Sequence, residues 1–287
     1  MGHVAVLAAE ATEWLRIQPE GAYIDCTLGA GGYTAPILER LTSGRVLAID
    51  RDPAAIAAAK QRFASRLSGL ELFQASFGEL SRMAGGAGPI QGIVADLGLS
   101  RDQLEDASRG FSFQLDGPLD MRMDPTQDLT AGHIVNHYGE EPLANLIYRL
   151  AGEGRSRRIA RAIVRARPLH TTIELTAVIE RAAPRKGRER IHPATRTFQA
   201  LRMAVNDELE ELEKMLEQAP PLLAPGGRLV VVSFHSGEDR LVKNAMRAWS
   251  GRGVLRILTK HVVRPGEQER RANPAARSGR LRAAEKV

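Results

Sequence analysis

Five apolar runs bounded by turn residues, four closely spaced and the fifth far downstream, constrain this chain most. They are "AYIDC", "RVLAID", "LELFQA", "GIVADLG" and "GRLVVVSF", and helical patterns follow the first three. One of these patterns, "PAAIAAAKQRFASRL", opens on Pro53, a residue suited to the first turn of a helix. Strands alternating with helices in this way predict a parallel sheet covered on both faces. The fourth run ends at Asp96 and the fifth begins near Arg228, so about 100 residues beyond the needs of one crossover are inserted after strand four. A later run, "LRILTKHVV", is a further candidate strand.

The insert reads as helical, with segments "PLANLIYRLA", "RSRRIARAIVRA", "IELTAVIERAA" and one long "RTFQALRMAVNDELEELEKMLEQA". The expected organisation is an α/β domain made of residues 1–105 and 206–287 and an inserted helical domain at 106–205. The Arg-rich tail from Arg264 reads as mobile. Charge follows the same division. Arg149 to Arg202 holds 14 Arg or Lys and 4 Glu, a local +10 in a chain of +6, which leaves −4 for the rest. That asymmetry points to a polyanion docking on the insert, with solvated helix faces as the plainer explanation.

With 287 residues, 43% of them hydrophobic and 26% charged, the chain has an ordinary globular composition. The single cysteine, Cys26, excludes an internal disulfide and a cysteine-based zinc cluster and suits a reducing cytoplasm. No apolar run reaches the roughly 18 residues of a membrane span, and the N-terminus has no signal-peptide core.

The stretch "YIDCTLGAGGYT" runs from the first strand into a turn where Gly29, Gly31 and Gly32 fall within four residues. A strand, a glycine turn and a helix together present backbone N–H groups to an anionic or polar ligand. The turn lacks the third glycine of G-x-G-x-x-G, and a plain tight turn is the simpler alternative. Asp50, closing the second strand, changes the balance. A carboxylate there accepts both hydroxyls of a ribose, which fits an adenine dinucleotide and S-adenosylmethionine alike. "QASF" places Ser76 and Phe77 at the third strand's edge, beside the adenine of a methyltransferase site, and "ADLGLS" places Asp96 where the methyl group would face. A dehydrogenase's base-and-arginine pair has no counterpart in the chain, so methyl transfer leads.

The segments "DCTLGAGGYT", "AIDRDPAAI", "VADLGLS", "RGFSF", "GPLDMRMD", "HPATRTFQALRMAVNDEL", "GGRLVVVSFHSGEDRLVK" and "NPAARSGRLRAAE" closely resemble the MraW/RsmH family across nearly the whole chain. The resemblance implies a Rossmann-like class I methyltransferase sheet with a helical insertion after strand four. It also implies transfer of a methyl group from S-adenosylmethionine to the N4 amine of a cytidine in the decoding region of 16S ribosomal RNA, within the small ribosomal subunit. Its motifs map cofactor binding onto Gly31, Gly32, Tyr33, Asp50, Phe77, Asp96 and Gln103. Three departures stand out: Tyr33 replaces the family's His, "SRDQ" with Arg101 replaces "SSxQ", and "AGEG" at Ala151 to Gly154 replaces "YGEE". A homodimer is an open option, since the sequence does not set the oligomeric state.

An exocyclic amine is a weak nucleophile, because its lone pair is delocalised into the ring. It needs in-line positioning and an acceptor for its protons. Asp96 is the candidate acceptor, with cofactor binding alone as the other reading, and the Pro-Pro-aromatic turn of many amino-methyltransferases is missing here. Methylation at cytosine C5 requires a cysteine nucleophile, and Cys26 sits in the cofactor turn. Phe111 and Phe113 are candidates to stack on an unpaired cytosine, and packing is the alternative for each. Arg109, Arg122 in "DMRMD", Arg196 and His235 complete the candidate substrate contacts, Arg122 having an internal pair with an Asp as its alternative. Two arginines, Arg196 and Arg202, face phosphate or brace the long helix. His133 and His137 lack the third ligand of a metal site, and "SFHSGED" has no nucleophile elbow of a hydrolase.

Overall fold

The computed structural model describes residues 5–185 and 191–287. Lys186, Arg188, Glu189 and Arg190, counted above in the basic region, lie outside the described residues. The chain divides into two compact units, residues 1–98 with 209–287, and residues 99–208.

The first unit is built on seven strands: β1 (Ala22–Asp25), β2 (Arg45–Asp50), β3 (Leu70–Gln74), β4 (Ile90–Asp96), β5 (Leu223–Ser233), β6 (Leu255–Ile257) and β7 (Arg280–Lys286). They are ordered β3-β2-β1-β4-β5-β7-β6. The order reverses between β1 and β4, the switch point at which open α/β sheets bind ligands beyond their carboxyl ends. All four residues of β1 are buried, as expected of a strand covered on both faces. Ile24, Leu47, Ile93 and Val231 belong to the core on one side, Tyr23, Val46, Val94 and Val230 to the core on the other. The helix after β2 starts as its sequence suggests. Asp52 caps it by accepting the Ala54 N–H at 3.0 Å, and Pro53 takes the first helical position. The fold is the class I methyltransferase type of α/β sheet.

Two sequence expectations need correction here. The sheet is parallel only from β3 to β5, because β7 runs antiparallel to both β5 and β6. The tail read as mobile supplies that strand: Leu281, Ala283 and Ala284 are buried, and helix Glu267–Ala272 precedes them. Four charged residues in seven, with Leu281 and two small alanines between them, carry too little hydrophobic signal to mark a strand that is buried on both sides.

The second unit packs helices Ala131–His137, Glu140–Ala151, Ser156–Ala166, Thr172–Ala182 and Pro193–Val205 around Ile134, Leu143, Ile147, Ile159, Ile163, Ile179 and Leu201. The long final segment is not one helix. It stops at Val205 and restarts at Glu208, because buried Asn206 turns its amide onto the Met121 and Arg202 carbonyls, both at 2.8 Å. Asp207 then takes a left-handed φ of 48°. Asn and Asp are the residues that compete with the helix ladder in this way and tolerate that conformation. Among the described residues no helix is long and apolar enough to cross a membrane.

Candidate active site

The glycine turn that follows β1 is tied to the ends of β4 and β2 by backbone hydrogen bonds. Cys26 N–H donates to the Val94 carbonyl at 2.8 Å and Leu28 N–H to that of Ile49 at 2.9 Å. Gly29 and Gly31 have φ of 47° and 78°, a region open to glycine at little cost. Gly31 and Gly32 also answer to packing. A Cβ on Gly31 would lie 2.7 Å from the Phe63 ring, and one on Gly32 would lie 2.6 Å from Ala5 Cβ. The turn is therefore held in shape by the protein's own side chains, with Asp50 beside it. Asp50 Oδ2 accepts the Gly29 N–H at 2.8 Å and Oδ1 the Asp52 N–H at 2.9 Å.

Asp25 is the residue that sequence reasoning missed. Fully buried at the end of β1, it accepts the Thr34 hydroxyl at 2.6 Å and the Thr27 N–H at 3.1 Å, clamping both ends of the turn. The Thr27 hydroxyl accepts the Asp96 N–H at 2.7 Å, which joins the clamp to β4. Burial raises the Asp25 carboxyl to about 6, against the hydrogen bonds from Thr34 and Thr27. A raised carboxyl in the folded chain means protonation stabilises the fold. That stability is complete below the ordinary value of 3.8 and lost as pH rises through about 6. At 1.36 kcal/mol per unit the loss is about 3 kcal/mol. Thermal unfolding from pH 4 to 8 is expected to show it, and Asp25→Asn to flatten the dependence. A wild-type profile as flat as the variant's would remove Asp25 as its source.

Asp96 closes β4 with Oδ1 buried and without a hydrogen-bond partner among the described residues. Burial first, then the charges of Asp25, Glu238 and Glu269, push its carboxyl well above the usual range. A buried acid with a raised value and an unmet acceptor atom at a switch point is a candidate functional group. Glu238 went unremarked in the sequence. It is 2% exposed and accepts the Phe234 N–H at 2.9 Å and the His235 N–H at 3.3 Å.

His235 has a structural task. Its Nδ1 accepts the Gly237 and Glu238 N–H groups at 3.2 and 3.3 Å, capping helix Ser236–Gly251. Nε2 stands 2.9 Å from Glu238 Oε1, without the alignment of a hydrogen bond. Asp239 is held by Arg282 at 2.7 and 3.2 Å. Tyr33 is buried and its hydroxyl donates to the Val6 carbonyl.

Phe77 opens the turn after β3 in the first unit, half-buried against that unit's core, and the other candidates lie in the second unit. Gln103 completes a capping box with Ser100. Arg109 donates to the Arg122 and Met123 carbonyls, both at 2.9 Å, and lies over the Phe111 ring. Phe111 is buried, and Phe113 stacks on His192 with ring centres 4.6 Å apart. Arg122 grips both oxygens of Asp120 and donates to the Pro125 and Gln127 carbonyls. Arg196 stands 3.7 Å from Glu153, and Arg202 makes a bidentate pair with Glu208 at 2.7 Å. Packing and bracing are thus the contacts seen for these residues. On helix Ser156–Ala166 the pattern differs. Arg157, Arg158, Arg161 and Arg165 are exposed on the side opposite Ile159 and Ile163, and only Arg161 has a described ion pair, with Glu140 at 3.1 Å.

The family model of the MraW methylases matches residues 1–287. The chain belongs to the MraW methylase family. It is similar to the ribosomal RNA small subunit methyltransferase H of Solibacter usitatus, 51% identical over 99% of this chain and 99% of that one. The namesake from Acidobacterium capsulatum is 49% identical over 99% of this chain and 98% of the relative. That from Synechococcus elongatus is 49% identical over 99% and 95% respectively.

Proposed function

We propose that the chain transfers a methyl group from S-adenosylmethionine to the N4 amine of a cytidine in the decoding region of 16S ribosomal RNA, in the small subunit. The buried, unpartnered Asp96 Oδ1 at the carboxyl end of β4 carries this reading. Its neighbours Asp25 and Glu238 make the spot favourable for a cation, and S-adenosylmethionine when bound supplies a methyl group on a positively charged sulfur. The donor set fits the rest of the molecule. Among the described residues each Asp50 oxygen accepts one backbone N–H, so each keeps a lone-pair site for one ribose hydroxyl. Gly31, Gly32 and Tyr33 contribute main-chain groups, since the Tyr33 hydroxyl is already engaged. Phe77, beginning the turn after β3, is the adenine contact.

In the reaction Asp96 accepts a hydrogen bond from the amine. This draws electron density to the nitrogen and gives its proton a destination. Burial keeps water from competing for the same carboxylate. The substrate contacts assigned to Arg109, Phe111, Phe113, Arg122, Arg196 and His235 become a supporting frame, and the exposed arginines of helix Ser156–Ala166 take the phosphates.

Labelled methyl groups from S-adenosylmethionine, incubated with unmodified small subunits, are expected to appear in N4-methylated cytidine on nucleoside analysis. Label at C5, or no label in cytidine at all, would sink the reading. Asp50→Ala is expected to weaken S-adenosylmethionine binding at least about tenfold, since charge-assisted hydrogen bonds are worth 1.5–3 kcal/mol each. Unchanged affinity by calorimetry would take Asp50 out of the site.

A further inference from the structure

The end of β3 is gripped by a side chain that lies far from it in sequence. Glu211, on helix Glu208–Leu222, has a side chain only 12% exposed. Its Oε2 accepts the Ser76 hydroxyl and stands 3.8 Å from Arg51 Nη2. Arg51 Nη2 also donates to Ser76 Oγ at 3.2 Å, and Ser76 Oγ accepts the Gly78 N–H at 3.1 Å, capping the turn Phe77–Glu79. A Cβ on Gly78 would lie 2.8 Å from Glu211 Cδ, so the carboxylate sits directly against the main chain of that turn. Gln218 extends the grip, donating to the Gly78 carbonyl at 2.6 Å and accepting the Ser81 N–H at 2.8 Å.

Arg51 follows Asp50 in sequence, and Ser76 precedes Phe77. One carboxylate thus links the two places where the ribose and the adenine are read. Burial works to raise the Glu211 carboxyl, but Ser76, Lys214 and Arg51 outweigh it and hold the group below its usual range. It is therefore an ionised anchor at neutral pH.

We propose that Glu211 is a positioning residue for the adenosine half of the cofactor, setting the Asp50 carboxylate and the Phe77 turn at their working separation without touching the ligand. This rests on the cofactor reading above. The full chain is tested by calorimetry with S-adenosylhomocysteine and by initial rates on unmodified small subunits. Glu211→Ala is expected to weaken binding and raise KM for S-adenosylmethionine about tenfold, with kcat within about twofold. Glu211→Gln keeps an acceptor for Ser76 but no charge for Arg51 and falls between. Ser76→Ala added to Glu211→Ala should cost little more than either alone, because both break the same link. Glu210→Gln, on the same helix and exposed, is the control. Should Glu211→Ala fail to fold, Glu211→Gln carries the test. The proposal is overturned if Glu211→Gln lowers thermal stability or kcat and leaves KM and affinity unchanged. A wild-type chain that binds no S-adenosylhomocysteine overturns instead the cofactor reading on which it rests.

Discussion

Asp96→Asn is expected to slow single-turnover methyl transfer about hundredfold or more, while S-adenosylmethionine affinity falls by less than about tenfold. The amide has the carboxylate's shape, so packing at the end of β4 is kept and what is lost is the charged acceptor for the amine. The sign of the pH dependence follows from the direction of the shift. The Asp96 carboxyl is held well above its ordinary value by burial and by Asp25, Glu238 and Glu269, so the accepting form gains population as pH rises. The wild-type single-turnover rate should climb with pH through that raised value, and the variant should lack this limb. Equal losses in rate and affinity would assign Asp96 to cofactor binding alone.

Replacing Arg157, Arg158 and Arg165 together by Gln is expected to weaken binding to the small subunit about hundredfold at moderate salt. The salt slope should flatten by about two units, from three phosphate contacts at 0.7–0.9 each. These three are preferred to a set containing Arg161, which already pairs with Glu140. Cofactor affinity should stay the same, because the glycine turn and Asp50 belong to the other unit. Filter binding across a salt series decides the matter. A stable triple variant with an unaltered slope would move the RNA surface off this helix.

Much of the frame was legible because β1 to β5 obey simple rules. Each is an apolar run closed by a turn signal, and Asp50 and Asp96 end their strands where a switch-point ligand needs carboxylates. What stayed hidden depends on long-range contacts. Asp25 and Glu238 look like ordinary acids until the fold shows them 0% and 2% exposed. Glu211 gains its role from contacts such as that with Ser76, 135 positions away. Phe111 and Phe113 carry the composition of a base-stacking pair, yet the core of the helical unit and His192 occupy their faces. For "DMRMD" the alternative weighed in the sequence, an internal pair, describes the contacts of Arg122 with Asp120. The Arg-rich segment that forms β7 misleads in the opposite direction, since charge at four of seven positions hides a strand whose other residues are buried.

The place of β7 has a consequence for how the chain is made. Of the seven strands it is the last to leave the ribosome, yet it lies between β5 and β6, and among the described residues β6 pairs with no other strand. Until residues 280–286 emerge, β5 presents an unpaired, strongly apolar edge, "LVVVS", of the kind that recruits foreign strands. The nascent protein therefore passes through a vulnerable interval. A ribosome stalled between the codons for β5 and β7 would hold out a sheet ready for mispairing, and a chaperone that shields this edge would matter more to the yield of folded enzyme than one acting on the helical unit.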